Sequence, residues 1–395
     1  MQRIRLSAAV AAIALLVSGC WLQPRFDAGR SNWAPDEDRL TSTTVAELEE
    51  LWSTEVAPGV NAPIAVGGGI FVSTTSARAT RVDAATGDVV WTRVFDELLP
   101  SLDDPAHVDG QVAIPWSIGR IGNIFRLSPR TGEILDGSSI VNTTYSDIAV
   151  ADGTLAYRNA ALLPPGDFAV SQVDWKFTAG LFGSPLTSDY AIVGDRILWS
   201  NGADALGFSP ACPRYPDPVP PSIGCAPDWS TGLAGVPVGG PARVSNEQVV
   251  YATSVGREAV LDVATGEVAW TADIGAAPAA APAVAGGKIL VATTDGRLVA
   301  LPASGCGTAT CTPLWEATTG ANASEAPAVA GDVVYVGTTS GAISAFALHG
   351  CGAATCTPLT TVDTGDAPIT GGPIVDDGRL VAGTQDGRLV AFGLP

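Results

Sequence analysis

Along residues 62–392, short apolar or alternating runs such as 333–337 are broken at regular intervals by Gly, Pro, Asp-Gly and Thr-Gly. Runs of about four to six residues bounded by turn residues predict strands joined in hairpins, not helices. The pattern also repeats. APAVAGGKILVATTDGRLVAL (281–301) returns as APAVAGDVVYVGTTSGAISAF (326–346) and as GPIVDDGRLVAGTQDGRLVAF (372–392). Upstream, GPARVSNEQVVYATSVGREAVLDVATGEVAW (240–270) matches APIAVGGGIFVSTTSARATRVDAATGDVVW (62–91), with a Thr-Gly placed before Trp91 and Trp270 alike.

Each unit reads as a short strand after Pro, a turn, a second strand, an Asp-Gly or Ser-Gly turn, a third strand, and a fourth ending near Trp. The openers Pro63, Pro105, Asp147, Pro185, Pro241, Pro282, Pro327 and Pro373 mark eight units at a period of roughly 45 residues. Four-stranded units at that period predict an all-β fold, an eight-bladed β-propeller of antiparallel blades. The last unit stops after three strands, while LEELWSTEV (48–56) lies alone before the first. Pairing it into the eighth blade closes the ring and removes two exposed edges. The expected organisation is a leader (1–19), a tether (20–43) and the propeller (44–395). Its blades are placed at 58–99, 100–141, 142–178, 179–234, 235–274, 275–319, 320–365, and 366–395 plus 45–57.

Composition sharpens this. The 45 Gly and 29 Pro are punctuation at the repeat period. With 21 Lys plus Arg against 40 Asp plus Glu, the net charge of -19 repels phosphate backbones, so nucleic acid is excluded as a partner class.

At the start of the chain, Arg3 and Arg5 precede an apolar stretch at 6–17, short for the roughly 20 residues of a spanning helix. It reads as an export signal. Val17-Ser18-Gly19-Cys20 resembles the lipobox of bacterial lipoproteins, which implies cleavage after Gly19, lipid attachment at Cys20 and a membrane partner; an ordinary signal peptide with an incidental Cys is the alternative. Trp21, not Asp, follows Cys20, which by the same resemblance allows outer-membrane sorting. Arg outnumbers Lys 19 to 2, a sign of a G+C-rich genome that leaves a single-membrane cell open.

The repeats resemble the pyrroloquinoline-quinone (PQQ) type of propeller repeat, through DGRLVAL (295–301), the Ala-Thr-Gly at 264–266 and Trp270. That resemblance covers about residues 48–395 and implies the eight-bladed fold; it is weak for activity, because fold does not fix function. In architecture, a lipid-anchored propeller of this length is also similar to the scaffold lipoproteins of the outer-membrane barrel-assembly machinery. The implied partner is an unidentified envelope protein, and the implied state a monomeric ring.

Seven cysteines divide into Cys20 and three local pairs, Cys212–Cys225, Cys306–Cys311 and Cys351–Cys356, which export would oxidise. The last two pairs sit in equivalent loops, GCGTATCTPL (305–314) and GCGAATCTPL (350–359), and are expected to staple their own hairpins. Cross-pairing between blades and a four-thiolate zinc site are the alternatives. Residues 209–232, rich in Pro, read as an insertion in the fourth unit and a candidate binding element.

A search for chemistry finds little. His107 and His349 stand in no triad or metal spacing, and no nucleophile elbow, zinc-protease, phosphate-loop or calcium-loop motif occurs. Asp103, Asp104, Asp376 and Asp377, like Asp295 and Asp386, lie at predicted turns, where Asp is favoured by turn geometry; an acid/base pair assembled across blades is the alternative. There is no Cys-Cys pair of the kind found over the cofactor in quinoprotein alcohol dehydrogenases, and Trp52, Trp91, Trp270 and Trp315 fall at repeat positions suited to packing between blades. The expectation is a scaffold with no catalytic, cofactor or metal residues. A quinoprotein-like oxidoreductase or a carbohydrate-acting or carbohydrate-binding propeller using the central channel is the alternative.

Overall fold

The computed structural model describes residues 21–95, 101–118, 121–136, 140–141, 145–151, 154–159, 167–171, 176–178, 190–208 and 227–395. Cys20, Cys212 and Cys225 lie outside the described residues. Strand pairing among the described residues gives eight sheets, each built on four antiparallel strands, three of them with a further strand added in parallel. Blade 1 comprises Ile64–Val66, Gly69–Ser73, Arg78–Asp83 and Val89–Val94; blade 2 Ala106–Val108, Gln111–Ile118, Ile121–Leu127 and Ile134–Asp136. Blade 3 comprises Tyr145–Ala151, Thr154–Asn159, Asp167–Ser171 and Lys176–Thr178; blade 4 Ala191–Val193, Arg196–Asn201, Asp204–Phe208 and Trp229–Gly232. Blades 5, 6 and 7 run from Ala242–Arg243, Ala283–Ala285 and Ala328–Ala330 to Val268–Asp273, Trp315–Thr318 and Thr360–Asp363. Blade 8 joins Ile374–Asp376, Arg379–Gly383 and Arg388–Gly393 to Glu49–Glu55. Among the described residues no helix is long and apolar enough to cross a membrane.

The N-terminal strand completes the last blade, as the stranded Trp-bearing segment predicts. Glu49–Glu55 runs antiparallel to Arg388–Gly393, with Trp52 opposite Ala391 and Thr54 opposite Leu389. Successive inner strands touch from blade 1 through blade 8. The ring closes where Thr370 Oγ1 donates to the Val60 carbonyl and where blade 8 residues Ile374, Leu380 and Leu389 share one buried cluster with Ala65, Ile70 and Val82 of blade 1.

The repeated residues have separate physical jobs. The indole N–H of Trp52, Trp91 and Trp229, each on an outer strand, donates to a turn carbonyl of the next blade: Ala84, Pro129 and Val263, at 3.1, 3.0 and 3.0 Å. Gly87, Gly132 and Gly266 in those turns have positive φ, and a Cβ there would strike the indole, so the Thr-Gly signature is a docking surface for Trp. Asp83 and Asp262 cap the same turns by accepting backbone N–H groups, which holds their carboxyls below the usual range. In the Thr-x-Asp-Gly-Arg hairpins, buried Thr293 and Thr384 hydrogen-bond the backbone four residues on, and Asp295 and Asp386 pair with Arg297 and Arg388.

Two expectations need correction. Residues 229–232 are not part of an insertion but the outer strand of blade 4, because Trp229 repeats the docking role. The cysteine loops also do more than staple themselves. Cys306 is bonded to Cys311 and Cys351 to Cys356, and each loop contributes a short strand that pairs in parallel with the outer strand of the preceding blade, Thr310 with Thr271 and Thr355 with Glu316. Trp270 and Trp315 lie over Gly305 and Gly350, yet their N–H groups find no acceptor among the described residues. In these two places a backbone clamp stands where an indole hydrogen bond joins blades 8 and 1, 1 and 2, and 4 and 5.

Candidate functional site at the ring axis

Residues 20–43 read as a tether, and this is where the structure departs most from the sequence. Trp21, Ala34 and Leu40 are buried to within about one per cent, and Arg30 is fully buried. The reason lies in the blades: each inner strand has a free edge toward the axis, and its N–H groups need acceptors.

The segment supplies them blade by blade. The carbonyls of Trp21 and Leu22 accept from Ala65 and His107, those of Ala28, Gly29 and Ser31 from Ile192, Arg243 and Val284, and those of Asn32 and Ala34 from Val329 and Gly331, all at 2.7–2.9 Å. Residues 33–34 add a short parallel strand beside Val329 and Ala330. At blade 8, Glu37 accepts from the Gly378 N–H and Arg39 pairs with Asp377 at 2.9 Å. The segment therefore circles the axis in the order of the blades and acts as an inner strap.

Side chains lock it. The Arg30 guanidinium donates to the carbonyls of Tyr190 (3.2 Å) and Pro24 (3.1 Å) and lies over the Tyr190 ring. Arg25 reaches the carbonyls of Arg30 and Pro282, Asn32 that of Pro327, and Asp27 pairs with Arg243 at 3.0 Å. Arg25, Phe26, Arg30 and Asn32 all have positive φ, a conformation that persists only where the surroundings over-determine it.

A cavity of about 360 Å³ remains on one side of the strap. Its walls are Trp21, Arg25, Arg30 and Asn32 from the strap and the residues that lead into the inner strands, among them Asp104, Gly239, Ala281 and Glu325. Asp104 accepts the Ala62 N–H at 2.8 Å. No group of three or more His, Cys, Asp or Glu among the described residues is placed to hold a metal ion. The strap crosses the axis, and Trp21, which borders the cavity, is packed edge-on against Phe26 at 5.2 Å.

Other expected residues are scattered. His107 is half-buried, which lowers its pKa, and takes part through its backbone; exposed His349 lies 3.2 Å from Lys288. Asp103 and Asp104 stand near the axis at blade 2, and Asp376 and Asp377 at the far end of blade 8's inner strand. The four bridged cysteines hold no thiolate for zinc.

Sequence reading misses two groups. Glu258 is fully buried, its carboxyl oxygens meet no hydrogen-bond partner among the described residues, and burial pushes its pKa well above the carboxylate range. It occupies the position of Ala79, Leu298, Ile343 and Leu389 in other blades, a signal that aligning the repeats would expose. Asp376 is pushed up to about 6 by burial first, then by Asp377 and Glu37, with Arg379 opposing.

A folded-state pKa above the unfolded value means that this stabilisation is complete below about pH 4 and is lost as pH rises through about 6. Asp376→Asn is therefore expected to raise stability at pH 7.5 by about 1–2 kcal/mol, after discounting for partial exposure, and to lose that advantage near pH 4. Glu258 is present in both proteins, so the difference between their melting profiles from pH 4 to 8 isolates Asp376. Identical profiles would show that burial and its charged neighbours do not raise Asp376.

A family model described as outer membrane protein assembly factor BamB matches residues 21–159 and 194–394. No curated protein matches the chain. Among solved structures, the computationally designed Ika8 protein aligns over 87% of this chain and 99% of its own at 14% identity and TM-score 0.67. Quinohemoprotein alcohol dehydrogenase from Comamonas testosteroni aligns over 95% and 80% at 12% identity and 0.66. A europium-containing methanol dehydrogenase aligns over 95% and 98% at 12% and 0.66. At such identities the likeness is one of fold.

Proposed function

The chain belongs to the outer membrane protein assembly factor BamB family, and from that membership we propose that it is a non-enzymatic lipoprotein, anchored through Cys20, that serves as an extracytoplasmic protein-interaction scaffold at the cell envelope. The observation that carries this reading is the strap: the protein's own backbone crosses the axis of the ring, where a propeller can hold a small ligand, and among the described residues leaves only the cavity on one side. What remains for recognition is the rigid rim and the outer blade edges, which suit loop contacts or the addition of a partner strand. Among the outer strands, Val89, Val90 and Val94 of blade 1 and Leu135 of blade 2 are exposed apolar residues on such edges.

The alternative is a quinoprotein-like oxidoreductase or a carbohydrate-acting propeller, favoured by the likeness to quinohemoprotein alcohol dehydrogenase. Crosslinking in intact membranes followed by affinity purification is expected to recover a reproducible set of envelope proteins. Titration with PQQ and calcium, followed by alcohol and sugar oxidation assays, is expected to show neither tight binding nor turnover. Turnover, or a purification that never enriches a partner, would reject the scaffold reading.

A further inference from the structure

We propose that the ring rests on the membrane with its cavity side against the lipid and its acidic side outward. The inference rests on the Cys20 anchor proposed above; what it adds is an orientation, drawn from where the strap begins and where charge lies.

The strap has a direction through the ring. Trp21 borders the cavity, on the side where the chain enters each inner strand. Residues 37–42 leave on the opposite side, where Glu37 meets Gly378, Arg39 meets Asp377 and Ser42 meets Asp332. Trp21 is pinned by the Ala65 N–H at 2.9 Å and is buried. A lipid on the preceding residue is thus attached within one peptide step, about 3.8 Å, of a fixed point near the axis. No arm separates the anchor from the folded body, so the side that carries the cavity mouth is held at the bilayer.

Charge points the same way. Loops 57–63, 233–241 and 274–282 on the cavity side hold no charged residue, 319–327 and 364–373 hold one each, and the blade 2 loop holds Asp103 and Asp104. The hairpins Asp295–Arg297 and Asp386–Arg388 on that side are self-neutralising ion pairs. Val236 and Val255 stand 43% and 59% exposed there, in adjoining loops joined by the Ser254 N–H to the Val236 carbonyl. The opposite side carries Asp109, Asp195, Glu247, Asp332 and Asp377 in the hairpins that follow the inner strands, with Glu37 of the strap, and there acids outnumber the bases Arg39, Arg196, Lys288 and Arg379, of which Arg39 and Arg379 pair with Asp377. Strands of five to six residues make the ring about 17–20 Å deep, beyond a Debye length of about 8 Å. In this orientation an anionic leaflet scarcely feels the acidic side; inverted, it would repel it.

The test uses the full-length mature lipoprotein in vesicles of phosphatidylethanolamine and phosphatidylglycerol containing a lipid with a nitroxide headgroup. A fluorophore is placed at Val255→Cys or at Asp109→Cys, with labelling of the parent chain as background. Quenching is expected to be severalfold greater at 255 than at 109. A twenty-residue Gly/Ser insertion between Cys20 and Trp21 should largely abolish the difference. Equal quenching at the two sites, or greater quenching at 109, in protein whose mass shows an acylated Cys20 overturns the orientation alone. A mature chain whose mass shows no acyl group on Cys20 overturns the anchor, and the orientation with it.

Discussion

Deleting residues 44–57 is expected to destroy the cooperative fold. The strand Glu49–Glu55 supplies the whole outer edge of blade 8, and Trp52 is the contact that locks blade 8 to blade 1, its N–H on Ala84 and its ring against Gly87. Thr54 adds a hydrogen bond to the Gly87 carbonyl, and the Val56 N–H one to Gly387. Loss of a buried Trp costs about 3–5 kcal/mol, and each hydrogen bond about 1 kcal/mol. Together these approach the roughly 5–15 kcal/mol that holds a folded protein together. The deletion should leave protein that is insoluble or melts without a sharp transition, because it opens the ring and bares two strand edges. Trp52→Ala, with the strand kept, should remain folded and lose about 3 kcal/mol or more. Calorimetry on both variants decides the matter; a deletion that melts like the parent would show that the ring does not close through this strand.

Arg30→Met is expected to be the most damaging single substitution in the strap. Methionine fills much of the space but donates nothing, so the carbonyls of Tyr190 and Pro24 lose their charged donor inside the ring. Hydrogen bonds to a charged group contribute about 1.5–3 kcal/mol each and add imperfectly, which places the loss near 3 kcal/mol. On a chain of this size the unfolding entropy is large, so 3 kcal/mol moves the melting temperature by only about 4 °C. Exchange of the inner-strand amides is the more sensitive readout. The N–H groups of Ile192 and Arg243, which the strap covers beside Arg30, should lose protection before those of the outer strands. Unchanged protection at these amides would mean that the strap holds without Arg30.

The pH dependence of Asp376 belongs to the same strap, since Glu37 is one of the charges that raise it. The junction of strap and blade 8 therefore weakens as pH rises through about 6.

Much of the ring is legible in the amino-acid sequence because a repeated fold repeats its local chemistry. Thr-Gly before Trp, Asp-Gly-Arg in the hairpins and Pro before most inner strands each answer a short-range need: a turn with positive φ, a capped hairpin, a fixed entry. The pairing of Glu49–Glu55 with the last blade was legible for a related reason, since a unit with three strands and a spare strand elsewhere leave one way to remove both edges. The cysteine loops were half legible. Spacing points to local pairs, but only folding brings Thr310 beside Thr271 and Thr355 beside Glu316, contacts that clamp one blade to its neighbour.

The strap was not legible, although Trp21, Phe26 and Trp33 among its first residues are more aromatic than a solvated tether needs. Its partners lie on seven blades, from Ala65 to Gly378, and no period relates them to residues 21–40. Sequence alone determined the all-β class, the repeat, the turn residues and the strand that completes the ring, because hydrophobic alternation and turn geometry act over a few neighbouring residues. Tertiary structure decided that the axis is occupied, that Arg30 and Glu258 are buried, and that the acid of Asp376 is raised, because those properties depend on burial among groups far apart in the chain, which only the closed ring brings together.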